Sequence, residues 1–210
     1  MNDVKIRLAQ ESDAATLVAI YAPYIQTTSV TFEYEVPSVE EFAARIEKVT
    51  EKFPWLICEI DGKIAGYFYA GLYKSRAAFQ WDAELSAYLS PDYHRMGIAS
   101  ALYSCFEAIL KEQGYLNLYA LITVTNSQSI GLLKKQGFRS LCVYPGVGFK
   151  LGEWHDLTVL EKRLAPLPEN PQPCRTFREI DPAFFEAQIK KAEERIRQSL
   201  TAKTARPLSR

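Results

Sequence analysis

The sequence predicts an α/β fold, a mixed sheet with helices crossing between its strands, and three observations lead there. Short apolar runs rich in β-branched and aromatic residues alternate with stretches whose apolar residues recur every three or four positions. Cap and turn residues punctuate the boundaries: Ser38 with Glu41, Asp61-Gly62, Gly114 and Gly137. The chain itself, 210 residues with 48% apolar and 12% aromatic content, is enough for one well-buried domain plus an appendage.

Residues 4–8 (VKIRL) alternate as a half-buried strand, and Ser12-Asp13 then caps a helix carrying Leu17, Ile20 and Tyr24. Ser38 with Glu41 forms a capping box, opening a second helix with Phe42, Ile46 and Val49 on one face and Pro54 as its stop. Two apolar runs, 55–60 (WLICEI) and 63–73 (KIAGYFYAGLY), flank Asp61-Gly62, the signature of a hairpin with a type I′ turn. A longer strand is expected at about 77–89, then a helix at 97–113 ended by Gly114 and a strand at 116–124. A helix at 127–136 ended by Gly137 and strands near 138–144 and 155–163 complete the body.

After Leu164, Pro166, Pro168, Pro171 and Pro173 fall within eight residues, which excludes helix and central strand, so residues 165–180 are expected to be a linker. Asp181-Pro182 reads as an N-cap and first-turn pair, with Phe185, Ile189, Ala192, Ile196 and Leu200 following at helical spacing. The expected organisation is a domain over 1–164, the proline-rich linker, and an amphipathic helix with a basic tail over 181–210.

Twenty-five Lys and Arg against 25 Asp and Glu leave no net charge, so no global field draws the chain to nucleic acid or an anionic membrane. A small-molecule partner is the default. Residues 165–210 hold nine Lys and Arg against six acids, a net of +3 that leaves −3 on the body, and neither value marks a polyanion site. Cys58, Cys105, Cys142 and Cys174 lie far apart with no CxxC or Cys/His cluster, which predicts buried thiols in a reducing compartment. The N-terminus carries charges where a signal peptide needs an apolar run, and no later run approaches the roughly 18 apolar residues of a membrane-spanning helix. A cytoplasmic protein is expected.

The most informative stretch is 84–102, ELSAYLSPDYHRMGIASAL. In the strand, Glu84, Ser86 and Tyr88 share one face while Leu85, Ala87 and Leu89 share the other, so one face can pack on a helix and the other offers polar groups to a cleft. His94-Arg95-Met96-Gly97-Ile98-Ala99 then brings backbone N–H groups to the start of a helix, where the orphan donors and the dipole favour an anion. Gly97 and Ala99 leave room for a pyrophosphate against the backbone; a plain strand-to-helix turn is the simpler alternative on these residues alone.

This stretch resembles the acyl-CoA signature of the GNAT superfamily, Gln/Arg-x-x-Gly-x-Gly/Ala, with His94, Gly97 and Ala99 in those places. His94 departs from the pattern but still supplies a side-chain donor. A second family element, an Asn opening a helix that ends in Gly-Phe, is matched by Asn126 before SQSIGLLKKQGF, although Asn126 also serves as a plain N-cap. The resemblance narrows to the phosphinothricin acetyltransferase-like branch, the L-amino acid N-acyltransferases, over roughly residues 4–163. It runs through TTSVTFEYE (27–35), SRAAFQWDAELSAYLSPDYHRMGIA (75–99) and VGFKLGEWHDL (147–157), with Phe79 where the branch has tyrosine. The linker and final helix lie outside it.

The resemblance implies a mostly antiparallel sheet splayed at its central strands, acetyl-CoA as cosubstrate, no metal, a small-molecule amine as acceptor and a homodimer. It implies an N-acetyltransferase that moves the acetyl group directly to the α-amino group of an amino acid or analogue of the phosphinothricin or methionine sulfone/sulfoximine type. Acetyl-CoA is expected against Ala87, Tyr88, Leu89, His94, Arg95, Met96, Gly97, Ile98, Ala99, Ser100, Asn126 and Ser129. The backbone N–H groups around Tyr88 and Leu89 would polarise the thioester carbonyl where β-strands part.

Glu84 is the expected general base, since a partly desolvated carboxylate has its pKa raised toward neutrality; a solvated or salt-bridged strand Glu is the plainer reading. Leu133 occupies the place where the family carries an acid, which leaves Tyr119, Tyr144 or solvent to protonate the thiolate. Arg76 offers a bidentate fork for a carboxylate and Lys150 a second cation, with Phe32, Glu33, Phe149 and Trp154 toward the substrate. As ordinary surface charges and core aromatics these residues would also be unremarkable. His155 beside Asp156 has no ligand cluster around it and is no metal site. The rivals are an acetyltransferase for a polyamine, aminoglycoside or peptide N-terminus, and a non-catalytic acyl-CoA sensor with the final helix as its output.

Overall fold

A computed structural model describes residues 2–204. In chain order the elements are β1 (Val4–Leu8), α1 (Ala14–Thr27), α2 (Val39–Thr50), β2 (Trp55–Ile60), β3 (Lys63–Leu72), β4 (Asp82–Leu89), α3 (Ile98–Gln113), β5 (Asn117–Thr123), α4 (Ser127–Lys135), β6 (Arg139–Lys150), β7 (Glu153–Arg163) and α5 (Pro182–Thr204). The strands form one sheet in the order β1-β2-β3-β4-β5-β7-β6. Only β4 and β5 run parallel; the other neighbours are antiparallel. The mixed, mostly antiparallel sheet is the expected one.

Local chemistry sets the boundaries. Asp61 and Gly62 both take positive φ, 51° and 75°, the backbone a type I′ turn demands between β2 and β3. At α2, Glu41 N donates to Ser38 Oγ at 3.1 Å and Ser38 N donates to Glu41 Oε2 at 2.8 Å, so the capping box is closed in both directions. Gly114 stops α3 in the left-handed region, φ 99°.

The two faces of the sheet bury separate clusters. Leu17, Ile25, Phe42, Ile46, Trp55, Ile57 and Tyr67 join α1 and α2 to one face. On the other, Leu102, Phe106, Ile109 and Leu110 of α3 pack with Leu118, Leu160 and Leu133. Ile180, Ala192 and Ile196 of the final segment belong to this second cluster, so α5 lies on the sheet rather than apart from it. Hydrogen bonds fasten it to β1: Ile6 N donates to Glu193 Oε1 at 2.8 Å and Arg197 Nη2 donates to the Val4 carbonyl at 2.6 Å.

Several expectations are corrected. Residues 77–79 form a 3-10 turn closed by Phe79 N on the Arg76 carbonyl, so β4 begins only at Asp82. Strand β6 runs on to Lys150 instead of stopping near 144. Pro145 is absorbed by a register shift between Tyr144 and Gly148 on an edge strand, where no neighbour needs its missing N–H. The hairpin then turns at Leu151 and Gly152, both at positive φ. Cys58 and Cys105 are buried, but Cys142 is exposed on the edge strand and Cys174 half-buried. The proline-rich stretch is tied down: Arg175 N donates to the Gln113 carbonyl at 2.8 Å, Phe177 N to the Lys52 carbonyl at 3.1 Å, and Phe177 is buried. The tail residues 205–210 lie outside the described residues.

Candidate active site

β4 and β5 pair for three residues only, Asp82 with Asn117, Ala83 with Leu118 and Glu84 with Tyr119. From Leu85 onward β5 leans away toward β7, while β4 keeps its antiparallel ladder with β3 up to Leu89. A V-shaped gap opens at Glu84. It is a cleft of about 270 Å³, walled by Glu84 to Tyr88 on one strand, Ala120 to Thr123 on the other, and closed by Val30 to Phe32 with Asn126 and Ser129.

Backbone alternation decides which groups face the gap. The Trp81 carbonyl accepts from Leu116 N, on the β5 side, whereas Tyr73 N donates to the Asp82 carbonyl and Ser90 N to the Ala65 carbonyl, on the β3 side. Odd-numbered residues of β4 therefore direct N–H and C=O toward β5, and beyond Glu84 no β5 partner answers. Leu85, Ala87 and Leu89 face the gap with their backbone; the Tyr88 amide is spent on β3. Of the two amides expected to polarise a carbonyl, Leu89 has the right direction and Tyr88 does not.

Side chains alternate the other way. Glu84, Ser86 and Tyr88 point to the α1/α2 face, as the pattern predicts, and Tyr88 stacks edge-on to Tyr21 at 4.5 Å and Tyr24 at 5.4 Å. Burial raises the pKa of the Glu84 carboxyl above its ordinary value, and no cation among the described residues offsets it. Burial also pushes the Tyr88 phenol well above its usual value.

At the mouth of the gap the chain turns into α3. Arg95 and Gly97 are both left-handed, φ 61° and 81°, a backbone that converges successive N–H groups into a nest. Gly97 is the N-cap and no side chain caps the helix, so the first-turn amides of α3 are left free of side-chain acceptors. Ala99 and Ser100 follow on the outer turn, Ser100 Oγ accepting from Gln136 Nε2 at 2.6 Å. Ile98 is buried in the core, so only its backbone is available, and Met96 packs against the same core. The exposed imidazole of His94 lies against the end of β4, Nε2 at 3.1 Å from Tyr24 Oη and 3.2 Å from the Leu89 carbonyl oxygen. Across the gap, Asn126 Oδ1 accepts from Ser129 N at 3.2 Å and caps α4. The residues fit acetyl-CoA: a nest of free amides for the pyrophosphate, then a walled slot leading to Glu84. Thr123 adds a buried hydroxyl on the slot with no hydrogen-bond partner among the described residues.

The expected substrate residues are only partly brought together. Phe32 reaches the cleft, its ring so close to Gly148 that a Cβ there would meet Phe32 carbons at 2.4 Å. Lys150 is buried and donates from Nζ to the Thr31 carbonyl at 2.6 Å, its pKa lowered by burial and partly restored by Glu33. It holds the 28–34 loop instead of presenting a free cation. Glu33 pairs with Arg45, Oε1 accepting from Nη1 at 2.8 Å, which ties that loop to α2. Arg76 is exposed on the connection into β4, outside the cleft lining, and Phe149 and Trp154 meet edge-on at 5.3 Å on the outer hairpin. Leu133 is buried core. Tyr119 stacks on Tyr73 at 4.0 Å and its phenol is pushed up to about 12 by burial and by Asp82 and Glu161; Tyr144 is exposed on the edge strand. Among the described residues no group of three ligating side chains converges on a metal position.

Thr123 escaped the sequence analysis, being an ordinary strand residue that only the parting of β4 from β5 makes part of a wall. Tyr24, which the sequence marks only as a helix-face residue, donates from its hydroxyl to the Leu89 carbonyl at 2.6 Å.

Comparison with known proteins agrees with this geometry. A family model for the acetyltransferase (GNAT) domain matches residues 6–159. The phosphinothricin N-acetyltransferase of Streptomyces viridochromogenes is 32% identical over 177 residues, 84% of this chain and 96% of that protein. The L-methionine sulfoximine/L-methionine sulfone acetyltransferase of Salmonella typhimurium is 28% identical, over 76% of this chain and 94% of its own. Among solved structures, a phosphinothricin acetyltransferase from Sinorhizobium meliloti in complex with acetyl-CoA superposes with a TM-score of 0.76 at 27% identity, covering 84% of this chain and 99% of that one.

Proposed function

The chain belongs to the GNAT acetyltransferase family, and from that premise we propose that it acetylates the α-amino group of a small amino acid or amino-acid analogue of the phosphinothricin or methionine sulfone/sulfoximine type. The observation that carries the reading is the gap that opens beside the half-buried Glu84, with an amide nest at its mouth. Acetyl-CoA supplies an acetyl group activated as a thioester. The Arg95–Gly97 nest and the first amides of α3 hold its pyrophosphate, and the slot between β4 and β5, with Asn126 and Thr123 on the far wall, takes its arm.

Glu84 accepts the proton of the substrate ammonium, directly or through a water, which frees the nitrogen lone pair for the acetyl carbon; the C–S bond then breaks, CoA leaves as the thiolate, and the second nitrogen proton passes to solvent. The Leu89 N–H, aimed into the gap, is the donor placed to stabilise charge developing on the carbonyl oxygen. Tyr119 titrates far too high and is stacked away from the mouth, so solvent delivers the proton that leaves with CoA. Arg76, at the entry to β4, is the guanidinium assigned to the carboxylate of the acceptor, a role for which its bidentate fork is suited.

Two broader features belong to the same proposal. The functional body spans 1–164, with 165–180 as a proline-rich linker and 181–210 as the C-terminal helix and its tail, in the cytoplasm. The molecule works as a homodimer, a reading supported by the edge strand β6, which exposes Leu141, Val143 and Val147 beside an unpaired backbone edge.

The test is release of free CoA from acetyl-CoA against methionine sulfone, methionine sulfoximine, phosphinothricin, ordinary amino acids, a polyamine and an aminoglycoside. Turnover on the amino-acid group alone supports the reading; turnover only on polycations, or acetyl-CoA binding with no turnover at all, overturns it.

A further inference from the structure

The chain has ten glycines, and backbone geometry or close packing accounts for eight of them. Six stand at positive φ, while Gly66 and Gly148 are pressed by Leu89 and Phe32 so closely that neither has room for a Cβ. Gly71 has neither reason. It lies inside β3 and outside the left-handed region, and a Cβ built there would meet nothing within 4 Å. Glycine inside a strand weakens it and packs against nothing, so at this position it costs stability that the fold does not require. Gly131, the other such residue, is on the helix α4.

The register makes Gly71 the cross-strand partner of Glu84. Partners in such a pair present their side-chain positions on the same face, about 5 Å apart. Glu84 has four neighbours on the α1/α2 face, and three of them carry side chains. Asp82 Oδ1 accepts from Asn117 Nδ2 at 2.7 Å, Tyr119 is stacked on Tyr73, and Ser86 borders the cleft. The fourth is Gly71, and it is bare.

The tyrosines two residues to either side of Gly71 keep the place clear. Tyr69 leans toward β2 and stacks on Trp55 at 4.2 Å, with the ring planes 15° apart. Tyr73 leans the other way, across β4, onto Tyr119 at 4.0 Å. Along the strand the two are about 13 Å apart. Strand β2 begins at Trp55, opposite Tyr69, so no strand pairs with β3 at Gly71 on that side. A trough therefore runs from Glu84 over Gly71 to a free stretch of the β3 edge, with a tyrosine on each flank.

We propose that the side chain of the acceptor amino acid lies over Gly71, and that Gly71 is a specificity-determining residue which admits α-amino acids whose long side chain carries a polar end to solvent past the edge of β3. The inference rests on the reading of Glu84 as the base for an amino-acid acceptor and deepens it. With its nitrogen held at Glu84, the acceptor finds no side chain in its way over β3, and a residue larger than glycine at position 71 would occupy that path.

The experiment measures CoA release from acetyl-CoA with glycine, 2-aminobutyrate, norvaline and methionine sulfone as acceptors, in wild type, Gly71→Ala and Gly71→Val. In wild type kcat/KM is expected to rise with side-chain length. Gly71→Ala is expected to lower it about tenfold for methionine sulfone and less for each shorter acceptor, the scale of one methylene's worth of space, and Gly71→Val is expected to flatten the series further. CoA affinity by calorimetry should be the same in all three proteins, and Gly71→Ala should melt no lower than wild type, since its Cβ meets no other atom. A length dependence unchanged in both variants, or an equal loss for every acceptor, overturns the assignment to Gly71 while leaving the base and the acetyl-CoA site standing. A wild type that turns over none of these acceptors overturns the proposed function, and this inference with it.

Discussion

Glu84 faces Tyr119 in the last matched step of the parallel pair, and one residue later β4 and β5 no longer pair. The carboxylate thus sits at the vertex of the gap, where it is shielded enough to hold its proton more tightly than a free glutamate and open enough to meet a ligand.

Replacing Glu84 with Gln keeps the shape and removes the base. Acetyl transfer is expected to fall at least about tenfold, and as much as ten-thousandfold, with CoA affinity unchanged by calorimetry. In wild type kcat/KM should rise with pH through an apparent pKa above 4.5, and the variant should lack that limb. The same shift has a stability sign. The folded state holds the Glu84 proton more tightly than the unfolded chain does, so its contribution is full below the unfolded pKa and is lost as pH rises through the folded one. At neutral pH, Glu84→Gln should therefore melt higher than wild type, and the difference should vanish in acid.

Gly97→Ala puts a methyl group on a residue at φ 81° and against Ser199. Either the nest or α5 must shift. CoA affinity is expected to drop about tenfold, and Ser199→Gly in the same chain should return part of it by removing the contact while leaving the φ strain in place. No recovery in the double variant would mean that the backbone alone is at fault.

Lys150→Met removes the ammonium that holds the Thr31 carbonyl and keeps most of the stem's bulk. The KM for the amine should rise several-fold with CoA affinity unchanged, and thermal stability should fall by about 1–3 kcal/mol for the carbonyl left without its donor. If kcat fell and KM did not move, the lysine would have to reach the substrate itself.

Ile196→Ala takes a fully buried side chain out of the α5 interface. A cost of about 2–5 kcal/mol is expected in urea unfolding, in a single transition shared with the sheet, since Ile196 and the strands belong to one cluster. A separate early transition would show that α5 unfolds on its own.

Much of this was legible in the chain because its local signals agree with its tertiary structure. The capping box at Ser38, the Asp61-Gly62 turn and the polar-apolar alternation of 84–89 each specify backbone geometry within a few residues. What resisted reading depends on distant partners. Nothing in the stretch after Cys142 says that Pro145 will be taken up as a bulge, because that requires β7 to run past it. Lys150 reads as a free cation until the Thr31 carbonyl, 119 positions away, claims it. The Tyr88 amide was misassigned because strand periodicity gives which residues alternate but not which neighbour is first lost. The helix at 182 was legible from its spacing, and its berth was not, since β1 and α3 carry no mark of what will cover them.

The bonds from Glu193 to Ile6 and from Arg197 to Val4 join positions 187 and 193 residues apart. Such contacts raise the contact order of the fold, and loops that long close slowly. On the ribosome, β1 and its neighbour are made first and their outer face is covered last, after the whole sheet has emerged. Until then the chain carries an open apolar surface at its leading end, and it is in that interval that a chaperone, a protease or another nascent copy would find it.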